Sequence, residues 1–426
     1  METYAKILLI AMPFFLGLVL IEKLYGYLKY RDDFKPLDTI SSLSSGYTNS
    51  LKDVLGLSFT VISYNWLVGK IAIFEIKDTY LVYFIAFMAL DFAGYWVHRL
   101  AHEVNFFWNK HAIHHSSEEF NLGCALRQSI STFINIFTVF LIPAAIFGVP
   151  AMVIAVIAPI HLFAQFWYHT VYIGKMGFLE KIIVTPSHHR VHHAINPEYL
   201  DKNHGQIFIF WDKLFGTFQE ELEHVKPVYG ITRPAATWNP IKINFQHIGL
   251  LISDAWRAKN WKDKLKIWFM PTGWRPQGFE EKYPVEKIED PYNFKKYNTI
   301  LSPSALNWSW FQFFVTLIFL VILYYNIASL SLWQMISFGA FIFLNVYAYT
   351  EFMDKNPNAY YFEWLKNGIG LAIFLLTNFW DNLVMNLPAL KFGLIAYFVL
   401  ASIYTYYLVK AGQGKIQQSK TLEAYS

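Results

Sequence analysis

Nine apolar runs, each long enough to cross a lipid bilayer as a helix, limit what this chain can fold into more than any other feature. A hydrocarbon core about 30 Å thick takes about 20 mostly apolar residues in helical form. The runs lie at 7–24, 54–70, 79–97, 130–148, 150–168, 308–326, 331–350, 367–386 and 391–409. The fourth and fifth meet at Gly148-Val149-Pro150, a breaker that predicts a helical hairpin. Glu351, Asp354 and Asp381 interrupt or border the last group. Composition agrees with membrane residence. Only 15% of residues are charged and 55% are hydrophobic, where soluble domains carry about 25% charged residues. The expected fold is all-α, a polytopic helical membrane protein. The start of the chain lacks a basic stretch, and no clear small-residue cleavage site follows the first run, which therefore reads as a retained span.

Loop charge predicts orientation. If the polar stretches 23–53, 98–129, 169–307, 351–366 and 410–426 share one side, that side holds 31 of the 35 Lys and Arg. By the positive-inside rule it faces the cytosol. The net charge of +4 is modest and gives no reason to expect a nucleic-acid partner. The single cysteine, Cys124, excludes an intramolecular disulfide and reads as a small buried residue. Residues 1–305 hold five runs and a long segment rich in His, Trp and Pro. They are expected to form the catalytic part with a cytosolic cap. Residues 306–426 hold four runs and no histidine, an expected four-helix transmembrane region.

Fourteen histidines carry the chemical signal. They cluster as His98…His102, His111…His114-His115 and His188-His189…His192-His193. Side chains three or four positions apart share one helix face. Each cluster therefore offers two or three imidazoles to one point. Eight imidazoles, from His98, His102, His111, His114, His115, His189, His192 and His193, exceed what one ion takes and suit two metals in one cavity. Imidazole is a ligand for Zn, Cu, Fe and Ni. His169, where the fifth run reaches the same face, can supply a ninth. His204 is a further candidate, His188 an outer-sphere group, His161 a packed hydrogen-bonding residue, and His224 and His247 ordinary loop histidines. Asp91 shares a helical stripe with Tyr95, His98 and His102. A carboxylate inside an apolar run is costly and usually functional. It either accepts a hydrogen bond from a ligand imidazole or makes a polar helix–helix contact.

No glutamate stands between two histidines one turn apart, because position 106 is Phe106, so a zinc protease is disfavoured. A transporter would place its ligands near the bilayer midplane, whereas these lie at the cytosolic boundary. That position suits an enzyme that draws lipid from the bilayer and meets a soluble reductant. Activating dioxygen on an unreactive C–H bond calls for a redox metal, which the spacing alone does not specify.

The set HxxxH, HxxHH and HxxHH resembles the membrane fatty acid hydroxylase/sterol desaturase superfamily over residues 80–220. The runs 98–129, 165–170 and 188–218 are similar to its ether-lipid-cleaving branch, the alkylglycerol monooxygenases. The resemblance implies two iron ions on the eight clustered histidines, tetrahydrobiopterin as reductant, and oxidation of the carbon beside an ether oxygen, with collapse to an aldehyde and glycerol. Glu103 matches a glutamate of that branch, which implies a contact to the pterin or to metal-bound water and makes it, with Asp91, an expected catalytic side chain. At His204 the branch would lead one to expect tyrosine. Arg127 and Gln128 can hold a polar head group or pterin. Tyr95, Trp96, Phe106, Phe107 and Trp108 read as interface anchors or as an acyl-channel lining, and Trp211-Asp212 as lid or scaffold. Arg257 to Lys266 reads as an amphipathic helix on the anionic lipid face.

The expected partners are thus a membrane lipid, dioxygen and a soluble reductant, in a multi-pass protein of a bacterial inner membrane or endoplasmic reticulum. Two other readings fit parts of the pattern: a sterol or fatty-acyl hydroxylase or desaturase fed by a protein electron donor, and a histidine-rich metal transporter.

Overall fold

In this computed structural model the apolar runs fold mainly as helices, those of the first and fifth runs passing through the internal Pro13 and Pro159, and break at a few local stop signals. The structure describes residues 2–424, apart from 32–34, 58, 61–62, 77–78, 133, 136 and 377–387. The helices are α1 (Glu2–Tyr30), α2 (Pro36–Val54), α3 (Tyr64–Ile71), α4 (Tyr80–Glu103), α5 (Asn105–His115), α6 (Ile142–Ile146), α7 (Ala151–Phe163) and α8 (Pro186–His192). They continue as α9 (Phe210–Phe215), α10 (Pro240–Arg257), α11 (Trp261–Phe269), α12 (Phe279–Lys282), α13 (Pro303–Asn326), α14 (Leu332–Met353), α15 (Ala359–Leu376) and α16 (Pro388–Ala424). Strand pairing among the described residues is limited to Phe59–Thr60 beside Ile134–Asn135 and three isolated bridges.

Five helices among the described residues are long and apolar enough to span a membrane: α1, α4, α13, α14 and the Phe392–Gly412 portion of α16. Three of the nine expected runs, at 54–70, 130–148 and 150–168, are not single long helices among the described residues. The run at 54–70 is not one helix. Gly56 takes a left-handed φ of 65° after α2, and the Ser63 hydroxyl accepts from the Trp66 N–H to start the short α3. The hairpin at Gly148-Val149-Pro150 is present. Gly148 has φ 77°, and a Cβ there would lie 1.9 Å from the Phe74 carbonyl oxygen, so only glycine fits. Its arms, however, are short. The 13 residues of α7 reach about 20 Å, less than the core thickness. The run at 367–386 is helical to Leu376 and then passes outside the described residues.

A stretch read as polar loop is the buried helix α2, rich in serine. Several of its hydroxyls are satisfied within the helix and across it. Ser44 Oγ donates to the Ile40 carbonyl and pairs with the Tyr349 hydroxyl at 2.5 Å, and Ser50 Oγ pairs with the Tyr324 hydroxyl at 2.9 Å. Small residues let helices approach closely in a membrane protein, and α13 and α14 pack here. The largest apolar core joins Leu37, Ile40 and Leu51 of α2 to Phe319 and Leu323 of α13 and Phe338 and Phe341 of α14. It therefore runs across position 305. Within the C-terminal bundle, Lys366 donates to Glu363 at 2.7 Å and to Gln312 and Tyr397 at 3.2 Å.

Two features position the site. Helix α4 ends at Val104 and α5 begins at once. Asn105 ties this corner to the cap by donating to the Ile267 and Trp274 carbonyls. Helices α10 and α11 lie beside it with Trp256, Trp261 and Phe269 exposed, the edge expected of an interfacial segment.

Candidate metal centre

Three helix ends converge beyond the apolar part of α4. That helix presents His98 and His102 one turn apart, α5 presents His111, His114 and His115, and the end of α8 presents His189, His192 and His193. Pro186 opens α8, and the Thr185 N–H donates to His188 Nδ1, a reciprocal cap that holds the first turn. His188 thus anchors the helix while its neighbours face inward. His169 comes from the loop after α7.

The imidazoles form two groups. His98, His102, His111, His115 and His192 make one; His114, His169, His189 and His193 make the other. Within each group the possible ligand atoms lie within 4.8 Å of one another. In the first, His98 and His115 Nε2 each approach His111 Nε2 to 2.9 Å, and His102 Nε2 approaches His115 Nε2 to 3.2 Å. In the second, His189 Nε2 stands 2.9 Å from His169 Nε2 and 3.0 Å from His193 Nε2, and His169 Nε2 is 3.3 Å from His114 Nε2. The groups abut where His115 and His193 stack at 4.2 Å between centroids.

The opposite ring nitrogens show what this arrangement fits. His98 Nδ1 reaches the His204 carbonyl at 2.8 Å, His192 Nδ1 the Lys202 carbonyl at 2.9 Å, and His169 Nδ1 the Gln165 carbonyl at 3.1 Å. His114 Nδ1 reaches the Arg127 carbonyl at 3.3 Å, and His102 Nδ1 reaches Asp201 Oδ1 at 3.0 Å. A ring that donates from Nδ1 carries a lone pair on Nε2. The inward nitrogens are then acceptors facing acceptors, and the buried His192 Nε2 has no partner at all. Metal–nitrogen bonds of about 2.1 Å at right angles would set ligand nitrogens about 3.0 Å apart, close to the spacings found. The residues fit two metal ions.

Burial, reinforced by the neighbouring imidazoles, pushes the pKa of His111, His115, His189, His192 and His193 well below the ordinary histidine value. Burial brings His114 down to about 4. All six are held neutral, the form that binds metal.

The remaining candidates lie elsewhere. Asp91 makes no bond to any of the nine imidazoles. Its carboxylate accepts from His161 Nε2 at 2.9 Å, from the Ile207 and Phe208 N–H groups, and from Trp211 Nε1. It is a polar contact between α4, α7 and the 207–211 segment, because it sits two turns deeper than His98. Glu103 turns away from the cluster, 44% exposed, and pairs with Arg99 Nε at 2.8 Å along the helix. His204 contributes its carbonyl, and its ring packs against His102 at 5.0 Å without joining either group. Asp212 is scaffold, accepting from the His204 and Gly205 N–H groups. Arg127 is buried against Asp38 at 2.7 Å and Ser116, which fixes the carbonyl that His114 meets. Sequence reasoning missed Asp201. Its one visible signal is its place in the segment that carries His204.

The description fatty acid hydroxylase belongs to the family model that matches residues 83–217. Alkylglycerol monooxygenase of Homo sapiens is 34% identical over 390 residues, covering 89% of this chain and 84% of its own length. That of Danio rerio is 33% identical over 397 residues, with 92% and 87% covered. An ornithine lipid hydroxylase of Rhizobium tropici is 31% identical over 147 residues, 34% of this chain and 44% of its own. No solved structure matches.

Proposed function

This chain belongs to the alkylglycerol monooxygenase family, and from that premise we propose that it is a multi-pass membrane enzyme that cleaves ether lipids by oxygenation. One atom of dioxygen enters the C–H bond beside the ether oxygen of an alkylglycerol and the other leaves as water. The hemiacetal so formed collapses to a fatty aldehyde and glycerol. Two iron ions, held by the first five imidazoles and by the other four, would supply the redox chemistry. Tetrahydrobiopterin would provide the two electrons and two protons. The loop charge that favours a cytosolic face for the histidines would place the reductant in the cytosol.

The chain's own residues do three things in this scheme. Burial holds His111, His114, His115, His189, His192 and His193 neutral, and the rings engaged at Nδ1 keep an Nε2 lone pair inward. The carbonyls of Gln165, Arg127, Lys202 and His204, together with Asp201, fix the tautomers of His169, His114, His192, His98 and His102. Phe120, 5.2 to 6.1 Å from the rings of His169, His189 and His193, covers the second group and keeps water from it.

The observation that carries the reading is the pair of buried imidazole groups, five of whose nine rings are tied down at the outer nitrogen. The test is turnover of a 1-O-alkylglycerol by the purified full chain under labelled dioxygen, with the aldehyde trapped by reduction to the alcohol. The label is expected in the alcohol, and His114→Ala is expected to abolish turnover. Unlabelled aldehyde, or full turnover by His114→Ala, would overturn the proposal. Turnover that ignores added tetrahydrobiopterin would remove the pterin alone.

A further inference from the structure

Helices α10 and α11 each have one buried side. Leu251 of α10 and Ile267 of α11 meet around Ala258, with Trp268, Trp274 and Phe279 packed against them. The pair is held in place by polar ties. Asp254 is gripped by Arg275 through both oxygens, at 2.6 and 2.9 Å, and Lys264 Nζ donates to the Ala255 carbonyl at 2.8 Å. The other side is apolar too. Phe245, Ile252 and Trp256 share one stripe of α10, and Trp261, Leu265 and Phe269 recur every fourth residue along α11. All six are exposed, Trp256 by 86% and Trp261 by 77%. Apolar surface gathered in this way marks an interaction site.

Charge lies beside the stripe. Residues 257–266 hold five basic side chains and one acid. The acid, Asp263, is taken up in the cap of α11, where Asn260 accepts from its N–H at 2.7 Å and donates to its carboxylate at 2.6 Å. Lys259, Lys262 and Lys266 are exposed. Lys262 and Lys266 each follow an apolar stripe residue by one position, so they form a parallel basic stripe about 100° round the helix. Two helices long and apolar enough to span a membrane end here. Lys242 of α10 pairs with Glu351 near the end of α14 at 2.5 Å, and Asn239 donates to the same carboxylate at 2.9 Å. The Thr272 N–H donates to the carbonyl of Glu103, the last residue of α4, at 3.2 Å.

We infer that this face of α10 and α11 docks on a leaflet rich in anionic phospholipid, in the plane of the bilayer that α4 and α14 cross. The apolar stripe enters the boundary between head groups and acyl chains, with the indoles at the depth that tryptophan favours, and the lysines meet the phosphates around it. Lipid matches both parts of the surface. A second copy of the chain matches only one, because a twofold contact sets the same patch on both sides and brings the three exposed lysines of one copy towards those of the other.

The test uses the full chain in nanodiscs of phosphatidylcholine, with and without phosphatidylglycerol. Leu265→Cys carries the fluorophore NBD on the stripe; Cys124 is buried, and the unaltered chain checks that it takes no label. Shielding of the label from acrylamide and its quenching by a nitroxide lipid are read together. Both are expected to be stronger in discs with phosphatidylglycerol, and the shielding to weaken there as salt screens the surface. A basic side chain near an anionic surface strengthens attachment about fivefold, so Lys262→Gln combined with Lys266→Gln is expected to lower the ratio of seated to exposed label roughly 25-fold in those discs. In phosphatidylcholine alone the same pair is expected to change little. The salt response of the chain with its lysines intact decides the matter if the double variant does not fold. Equal shielding with and without phosphatidylglycerol, together with indifference to salt, would overturn the inference. So would a label shielded from acrylamide that the lipid nitroxide does not reach, and in discs holding two chains that outcome would assign the face to a second copy.

Discussion

His102 meets the carboxylate of Asp201 across 99 positions of sequence, and a partner in that place decides which ring nitrogen is left to bind metal. Loss of such a partner typically weakens metal affinity by 10- to 100-fold. Asp201→Ala is expected to show a loss of that size in competition with a chelator, with helical content unchanged. Acid should act on the metal-free protein in a defined direction. An unfolded histidine takes its proton near pH 6.5, whereas His114 in the fold does so only at about 4, and burial holds its neighbours His111 and His115 well below the ordinary value. Between those limits the unfolded state binds more protons, so stability falls as pH drops below about 6.5. Melting of metal-stripped protein at pH 8 and pH 5 checks this, with the lower midpoint expected at pH 5. The eight clustered histidines and His169 were legible in the sequence because helix periodicity alone puts them on shared faces. Asp201 was not, because its partner is set by how the 201–217 loop folds back on α4. Asp91 makes the polar interhelical contact that was one of its two expected roles, and Glu103 pairs with Arg99. Adjacency and a shared stripe mark a residue as near a site, but Asp91 lies too deep in the helix to reach the imidazoles, and Glu103 points off its opposite face.

At the level of elements, length proved a weaker guide than what interrupts it. The run at 54–70 is as apolar as a span, but Gly56 and the Ser63 cap divide it. The helices on either side of Gly148 are also short, with 5 residues in α6 and 13 in α7. Helix α2 hid in the opposite way. Its serines lower the apolar count, although each can bond back to its own helix and vanish into a packed interface. A second polar device lies in the C-terminal bundle, where Lys366 and Glu363 are 0% and 1% exposed. Removing one partner of a buried pair strands the other charge, at a cost of about 3–5 kcal/mol. Lys366→Met is accordingly expected to melt earlier in detergent by an amount of that order, and Lys366→Met combined with Glu363→Leu to recover much of the loss. A double variant no better than the single would show that the pair is not what holds this bundle.

The whole molecule is tied together across the boundary that histidine content suggested. Because α2 shares one core with α13 and α14, the segment 1–305 on its own would expose the apolar face that those helices cover. Expressed alone, it is expected to aggregate in detergent and to bind fewer than two metal ions per chain. A monodisperse fragment with both ions bound would show instead that the first 305 residues are self-sufficient. The division of labour between the two halves is thus chemical and does not extend to packing. One feature of the centre also bears on how it is made. The first ligand lies at His98 in α4 and the last at His193 after α8, so α4 enters the bilayer long before its partners exist. At synthesis rates of about 5–20 residues per second, the α4 imidazoles wait for roughly 5–20 s until the final ligand has been translated. During that interval the imidazoles of α4 and α5 lack those of α8 to compete with free thiols or other cellular chelators. Loading of such a centre with metal would therefore be an event of maturation that follows translation, and in a growing cell it would depend on what metal is on offer at that moment.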